Sequence, residues 1–310
     1  MELNFFEIAE QYKDGKINYN DEKLKKAQDL MVEMASTEDG REELAELIGM
    51  YIDETWNKFD ISPYLFQTKN FKLGDRPEFR MKKKGIKAYW IAPNSSTPKT
   101  RNYQEVLGME FDSLSVRPEA LMDELSVGRV ESLAGLMKDA REAMSNAIVE
   151  KVFTLIGQVY NATTNVNQYK ADTTSLSADS VKEAIRYVFR KTGVMPTIIG
   201  DSTLTDQIMD FDGFTEEIQT QILKTGRLGV YRGATIMSLP EVLDPVTGKS
   251  IVPQNRLYVV SKKIGYAGTY GKAKSGQERS IEDWTWNARI DKEYGAVVTD
   301  PEGLYTIEVV

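Results

Sequence analysis

Between residues 129 and 160 the chain runs without a proline, and Leu133, Met137, Ala140, Met144, Ile148, Val152, Leu155 and Val159 recur every three or four residues. That spacing lays them along one stripe of an α-helix. At about 1.5 Å per residue the helix is a rod about 45 Å long. Ordinary globular helices run to about 20 residues, so a rod of this length has to organise a large, elongated body around it.

The segments on either side differ in character. Residues 3–60 read as short helices: Ala27, Leu30, Met31 and Met34 form one helical stripe, and Leu44, Leu47, Ile48, Tyr51, Ile52 and Trp56 another. A fresh N-terminal cap is predicted at Ser36 or Thr37. Residues 61–110 hold strand-like pieces, Phe79 to Met81 and Ile86 to Ile91, around the turn Lys82, Lys83, Lys84, Gly85, and predict a long two-stranded excursion. Two strands alone are marginal in water, so this hairpin needs another surface to lie on. Pro118 reads as a helix start. From 176 to 268 the order is helix, strand, helix, turn, strand: a helix capped by Ser177 or Ser180 runs through Val181, Ala184, Ile185, Val188 and Phe189 and ends at Gly193, then a buried strand follows at 195–200. Near the C-terminus Trp284, Trp286, Ala288 and Ile290 alternate, as do Tyr305, Ile307 and Val309, which predicts strands.

Composition removes whole classes of chemistry. The 310 residues include no cysteine and no histidine, which excludes disulfides, thiolate nucleophiles, the usual zinc ligands and any imidazole base. A net charge of −8 opposes broad coating of nucleic acid, although a chain that encloses DNA without gripping it remains compatible. No apolar run reaches the length of a membrane span, and the acidic start "MELNFFEIAEQY" carries no secretion signal. No cofactor is implied by any motif.

The candidate sites each have a plainer reading. In "LKTGRLGVYRGATIMSLPEV" Gly226, Gly229 and Gly233 lie among basic residues, as in a phosphate-binding loop. Such a loop opens a helix after a strand, whereas here a helical pattern (215–223) precedes the glycines and a strand follows. The glycines therefore predict a helix cap and turn that deliver a strand. "DFDGFTEE" (Asp210, Asp212, Glu216, Glu217) lacks the full ligand spacing of a calcium loop, and reads as a solvated turn with acids at a helix start. "DEKLKK" at 21–26 reads as a helix with salt-bridge spacing. "RMKKKGIKAYWIAP" combines Arg80, Lys82, Lys83, Lys84 and Lys87 with Tyr89 and Trp90, a mixture that suits single-stranded nucleic acid or an acidic protein surface. The aromatics serve equally as packing area for a hairpin lying on a neighbour.

In order of parts (an arm, a long excursion at 61–110, the helix at 129–160, the α/β region ending in "TGRLGVYRGATIMSLPEV", and a closing "DKEYGAVVTDPEGLYTIEV") the chain resembles the major capsid protein of tailed bacteriophages, the Hong Kong 97 fold. The resemblance covers nearly the whole chain and implies an α+β shell subunit with no active site. It implies a helical N-terminal arm at 1–60, an extended loop at 61–108, a peripheral domain at 109–175 with the returning strands 269–310, and an axial domain at 176–268. The implied partners are copies of itself in hexamers and pentamers, a portal, and enclosed double-stranded DNA held without sequence-specific contacts, with no membrane. The implied location is the virion capsid, assembled in the host bacterial cytoplasm. Many relatives carry a long N-terminal scaffolding segment; arm-like sequence here begins at Met1, so a separate scaffolding protein is expected. Covalent cross-linking of loops, known in some relatives, finds no supporting spacing at Lys82 to Lys84.

Residues 1–60 carry 16 acidic and 7 basic side chains, whereas residues 61–105 carry 3 and 10. Segments of opposite sign next to one another suggest pairing rather than uniform solubility charge. The expected contact sets the basic loop of one copy on the arm of another, at Glu42, Glu43 and Glu46. The rival readings are an encapsulin-like nanocompartment shell within the same fold and, in a different class, a cytoplasmic enzyme using carboxylate or lysine chemistry.

Overall fold

The computed structural model describes residues 8, 11–12, 16–18, 21–55, 62–83, 103–211, 229–239, 241–244, 247–261 and 263–310. The chain divides into two compact units, one formed by Met1–Ile61, Phe111–Lys151 and Thr269–Tyr294, the other by Ser62–Glu110, Val152–Gly268 and Gly295–Val310.

In the first unit two helices, α1 (Glu22–Ser36) and α2 (Glu38–Thr55), pack on each other. Each begins at a side-chain cap: the Asp21 carboxylate accepts from the Lys23 N–H at 2.9 Å, and the Thr37 hydroxyl accepts from the Gly40 N–H at 3.1 Å, satisfying donors that the first turn leaves free. Leu24, Ala27, Met31 and Met34 of α1 and Leu44, Ile48 and Ile52 of α2 are buried; of the expected stripes, Leu30, Leu47 and Tyr51 are only half-buried, and Trp56 lies outside the described residues. The sheet of this unit is built on β12 (Thr285–Val298), beside β11 (Gly265–Ser280), with β4 (Asp112–Val116) and β5 (Glu119–Leu121) antiparallel to it. Trp286, Ala288 and Ile290 alternate into the core as expected. Trp284 does not: it lies in the turn before β12 and is 59% exposed. Pro118 likewise precedes β5 rather than a helix, and its carbonyl accepts from the Ala288 N–H at 3.1 Å.

The long helix covers Val130–Val159; α3 (Ser62–Leu65) and α4 (Met122–Ser126) precede it, so it is α5. Leu133, Met137, Ala140, Met144, Ile148 and Val152 are buried along one stripe. The expected continuation through Leu155 and Val159 fails, because these two are only half-buried. In the second unit the buried face is instead Val152, Phe153, Ile156 and, just past the helix end, Tyr160. Phe153 stacks on Tyr258 with ring centroids 5.4 Å apart. Facing a sheet, this part of the helix turns a wider and rotated set of apolar residues inward.

The second unit is centred on a six-stranded mixed sheet in the order β6 (Tyr169–Asp172), β13 (Leu304–Val309), β10 (Arg256–Val260), β7 (Thr197–Asp201), β9 (Ala234–Leu239), β8 (Val230–Tyr231). Helix α6 (Ala178–Thr192) lays Val181, Ala184, Ile185 and Val188 into a core with Ile198, Leu257, Val259, Tyr305 and Ile307. Ser177 caps it, accepting from the Asp179 N–H, and Gly193 ends it at φ 72° with its N–H on the Phe189 carbonyl at 2.7 Å. Ser180 is buried instead as a donor to Asp172. Phe189, expected on the apolar stripe, is 43% exposed. A short helix, α7 (Ser202–Gln207), follows β7 and is capped by Asp201. Strand β13 lies inside the sheet and buries both faces from Leu304 to Ile307, which is why Thr306 is as buried as Ile307 despite the polar alternation.

Also in this unit, β1 (Phe66–Thr68) runs parallel to the start of β11. The predicted excursion begins as a separate two-stranded sheet, β2 (Glu78–Lys83) antiparallel to β3 (Tyr103–Gly108), with Glu78 opposite Gly108 and Lys83 opposite Tyr103. The expected strand Ile86–Ile91 and the expected helix 215–223 lie outside the described residues.

Candidate assembly surfaces

Among the described residues, the β2–β3 pair is anchored at its base. Phe79 is buried, stacked on Tyr266 with centroids 4.1 Å apart and edge-on to Phe71 at 6.1 Å. Beyond that cluster Val106 is 54% exposed. Arg80, Lys82 and Lys83 are strand residues of β2, opposite Val106, Gln104 and Tyr103. Lys84, Lys87, Tyr89 and Trp90 lie outside the described residues. Glu42, Glu43 and Glu46 are exposed on α2, on the side away from Leu44 and Ile48.

The glycine-rich stretch is partly described. Gly226 lies outside the described residues. Gly229 precedes β8, and its carbonyl accepts from the Ile236 N–H at 2.9 Å. Gly233 has φ 85° and follows Arg232 at φ 50°. Two successive left-handed residues form the tight connection that matches strand twist in a two-residue hairpin, and Val230 and Tyr231 pair with Thr235 and Ala234 across it. A Cβ at Gly233 would sit 3.0 Å from the Met195 methyl. The described turn at Arg232 and Gly233 joins β8 to β9, which pairs with β7 in the sheet.

Buried and partly buried charges hold the sheets and helices together. In the first unit Lys292, only 6% exposed, pairs with Asp53 of α2, whose second oxygen accepts from the Ala273 N–H at 3.0 Å. The alternation Trp286, Ala288, Ile290, Lys292, Tyr294 already puts this lysine on an inward register, and a buried lysine needs a partner; that signal was available in the sequence, the partner's identity was not. Lys151 of α5 donates to Asp112 at 2.5 Å and to the Tyr294 carbonyl at 3.2 Å. Its hydrogen bond and charge hold the Asp112 carboxyl below its ordinary range. In the second unit Glu308 of β13 accepts from Tyr169 at 2.6 Å, from Arg256 at 3.1 Å and from Asn255 at 3.3 Å. Burial pushes its carboxyl up, but these donors outweigh burial and leave it below the ordinary carboxylate range.

Among the described residues, no group of three or more His, Cys, Asp or Glu is placed to hold a metal. Among them, too, no helix is long and apolar enough to cross a membrane.

Solved structures share the fold of this chain at low sequence identity. The capsid of an empty GTA particle superposes with a TM-score of 0.59 at 10% identity, covering 81% of this chain and 90% of that one. The Microbacterium phage Oxtober96 chain gives 0.57 at 10% identity, covering 81% and 91%. The virus-like particle from Pyrococcus furiosus gives 0.54 at 12% identity, covering 85% and 98%. The α+β architecture is of the Hong Kong 97 type seen in these neighbours. No curated protein matches the sequence. A family described as "SPbeta prophage-derived putative capsid protein YonB" matches residues 7–303. With that match extending over nearly the whole chain, and the fold agreeing with it, the chain belongs to the YonB family of prophage-derived capsid proteins.

Proposed function

We propose that this chain is a major capsid protein whose hexamers and pentamers close into an icosahedral shell around phage double-stranded DNA. The observation that carries the reading is the family match over residues 7–303. The net charge of −8 suits a wall that encloses DNA without sequence-specific grip. In this reading residues 1–60 are an arm, 61–108 an extended loop, 109–175 with 269–310 a peripheral domain, and 176–268 an axial domain at the capsomer centre. A separate scaffolding protein and a portal act with it, and assembly takes place in the host bacterial cytoplasm.

The basic segment 61–105, net +7, and the acidic segment 1–60, net −9, support a contact in which the loop of one copy lies over the arm of the next. Charges at a rim steer encounter and fix register more than they add affinity.

A nanocompartment shell of the same fold is the nearest rival; the prophage origin of the family favours the phage reading. Particles purified from cells that express the gene at its own locus distinguish the two. Nuclease-protected double-stranded DNA of uniform length is expected, and a protein cargo without DNA would overturn the phage reading in favour of the compartment.

A further inference from the structure

The turn between β11 and β12 carries two exposed large apolar side chains, Ile281 at 77% and Trp284 at 59%, and Leu121 of β5 is 53% exposed. Leu121 is brought beside the turn by its pairing with Thr285, and the Met122 N–H is hydrogen-bonded to the Trp284 carbonyl at 3.0 Å. Isolated exposed apolar residues are common, but grouped ones mark interaction sites.

A second, independent feature is the backbone. Trp284 has φ 51°, a left-handed conformation that is strained for a bulky side chain. Strain of this kind persists where the surroundings hold it, and points to a role for the side chain it presents. Here it turns the indole outward, while the next tryptophan, Trp286, is fully buried. The Arg279 guanidinium lies over the Trp284 ring at 5.2 Å and limits its rotamer freedom. A pre-positioned tryptophan with an adjacent arginine has the composition of an interface hot spot.

The rim identifies the occupant. Exposed Arg279 stands with exposed Glu282 and Asp283, and Glu278 is paired to Arg117. A nucleic acid or an anionic lipid surface would require a single positive sign. A rim with both signs is self-complementary: Arg279 of one copy can meet Glu282 or Asp283 of another while the apolar centres close on each other. We infer that the β11–β12 turn is a self-association surface, in which Trp284 and Ile281 of one copy pack against the same turn of another copy of this chain. The inference rests on the shell-subunit reading and adds to it the place and chemistry of one contact.

The chain has no cysteine, so Ile281→Cys supplies a unique thiol. In assembled particles a short bismaleimide should link copies 281 to 281, and the thiol should become slow to label relative to dilute subunit. Trp284→Gly separates stability from association, because glycine accepts the positive φ without strain. Its melting temperature should equal or exceed that of the wild type, while its assembly rate falls at least about tenfold; Trp284→Phe should restore part of the rate. Particles in which Cys-substituted position 281 labels as fast as in free subunit, or a Trp284→Gly chain that assembles at the wild-type rate, would overturn this inference and leave the shell reading standing. A wild-type chain that forms no shell or ring would overturn the shell reading, and this contact with it.

Discussion

Gly268 lies where β11 passes the backbone of Lys69, and a Cβ there would come 1.7 Å from the Lys69 carbonyl oxygen. Backbone on both sides cannot give way as a flexible side chain can. Gly268→Ala should therefore destabilise at or beyond the upper end of the usual overpacking range of about 1 to 3 kcal/mol. At Gly276, further along the same strand, an added Cβ would meet nothing within 4 Å, and Gly276→Ala should stay within about 0.5 kcal/mol of the wild type. Urea melts of the two variants compare them directly. Glu308 predicts a pH effect. Its folded carboxyl lies below the ordinary value of 4.5, so the folded state binds its proton less readily than the unfolded chain does. The stabilisation is complete above that ordinary value and is lost as pH falls through the lower folded value. Glu308→Gln should lower stability at neutral pH by about 1 to 3 kcal/mol and flatten the acid limb of a melting-temperature profile; an unchanged acid limb would show that other carboxylates set it.

Element by element, what could be read in advance depended on how local the cause was. The cap at Thr37, the stop at Gly193 and the inward stripe from Leu133 to Val152 arise from neighbours in sequence, and all are legible there. Leu155 and Ile156 are both apolar and adjacent, so spacing alone could not decide which one faces the sheet. The structure gives Ile156, at 0% exposure. Ile156→Ala should cost about 2 to 5 kcal/mol and Leu155→Ala clearly less; equal losses would contradict the packing of this half of the helix. The Asp53–Lys292 pair joins residues 239 apart, and nothing local selects Asp53 among the many acids of α2. Trp284 escaped the reading for a related reason. It continues the alternation of Trp286, Ala288 and Ile290, and only the turn's hydrogen bond to Met122 shows that the strand has not yet begun.

For the whole molecule, surface charge and the exposed apolar turn are proposed to serve contacts with copies of this chain. Single exposed ion pairs contribute only about 0.2 to 1 kcal/mol, so Lys82→Ala alone should leave assembly nearly unchanged. Replacing Lys82, Lys83 and Lys84 together by Glu should slow or abolish assembly without altering the circular dichroism of the subunit, and raised salt should slow the wild type by screening. A triple variant that assembles at the wild-type rate would remove the loop-to-arm contact; one that unfolds the subunit would make the segment an intramolecular element. The most direct test is negative-stain electron microscopy of the purified wild-type chain, with native mass spectrometry of the same sample. Five- and six-membered rings or closed shells made of this one chain are expected. A discrete monomer, dimer or tetramer, unchanged on concentration and across a salt series, would contradict the shell reading.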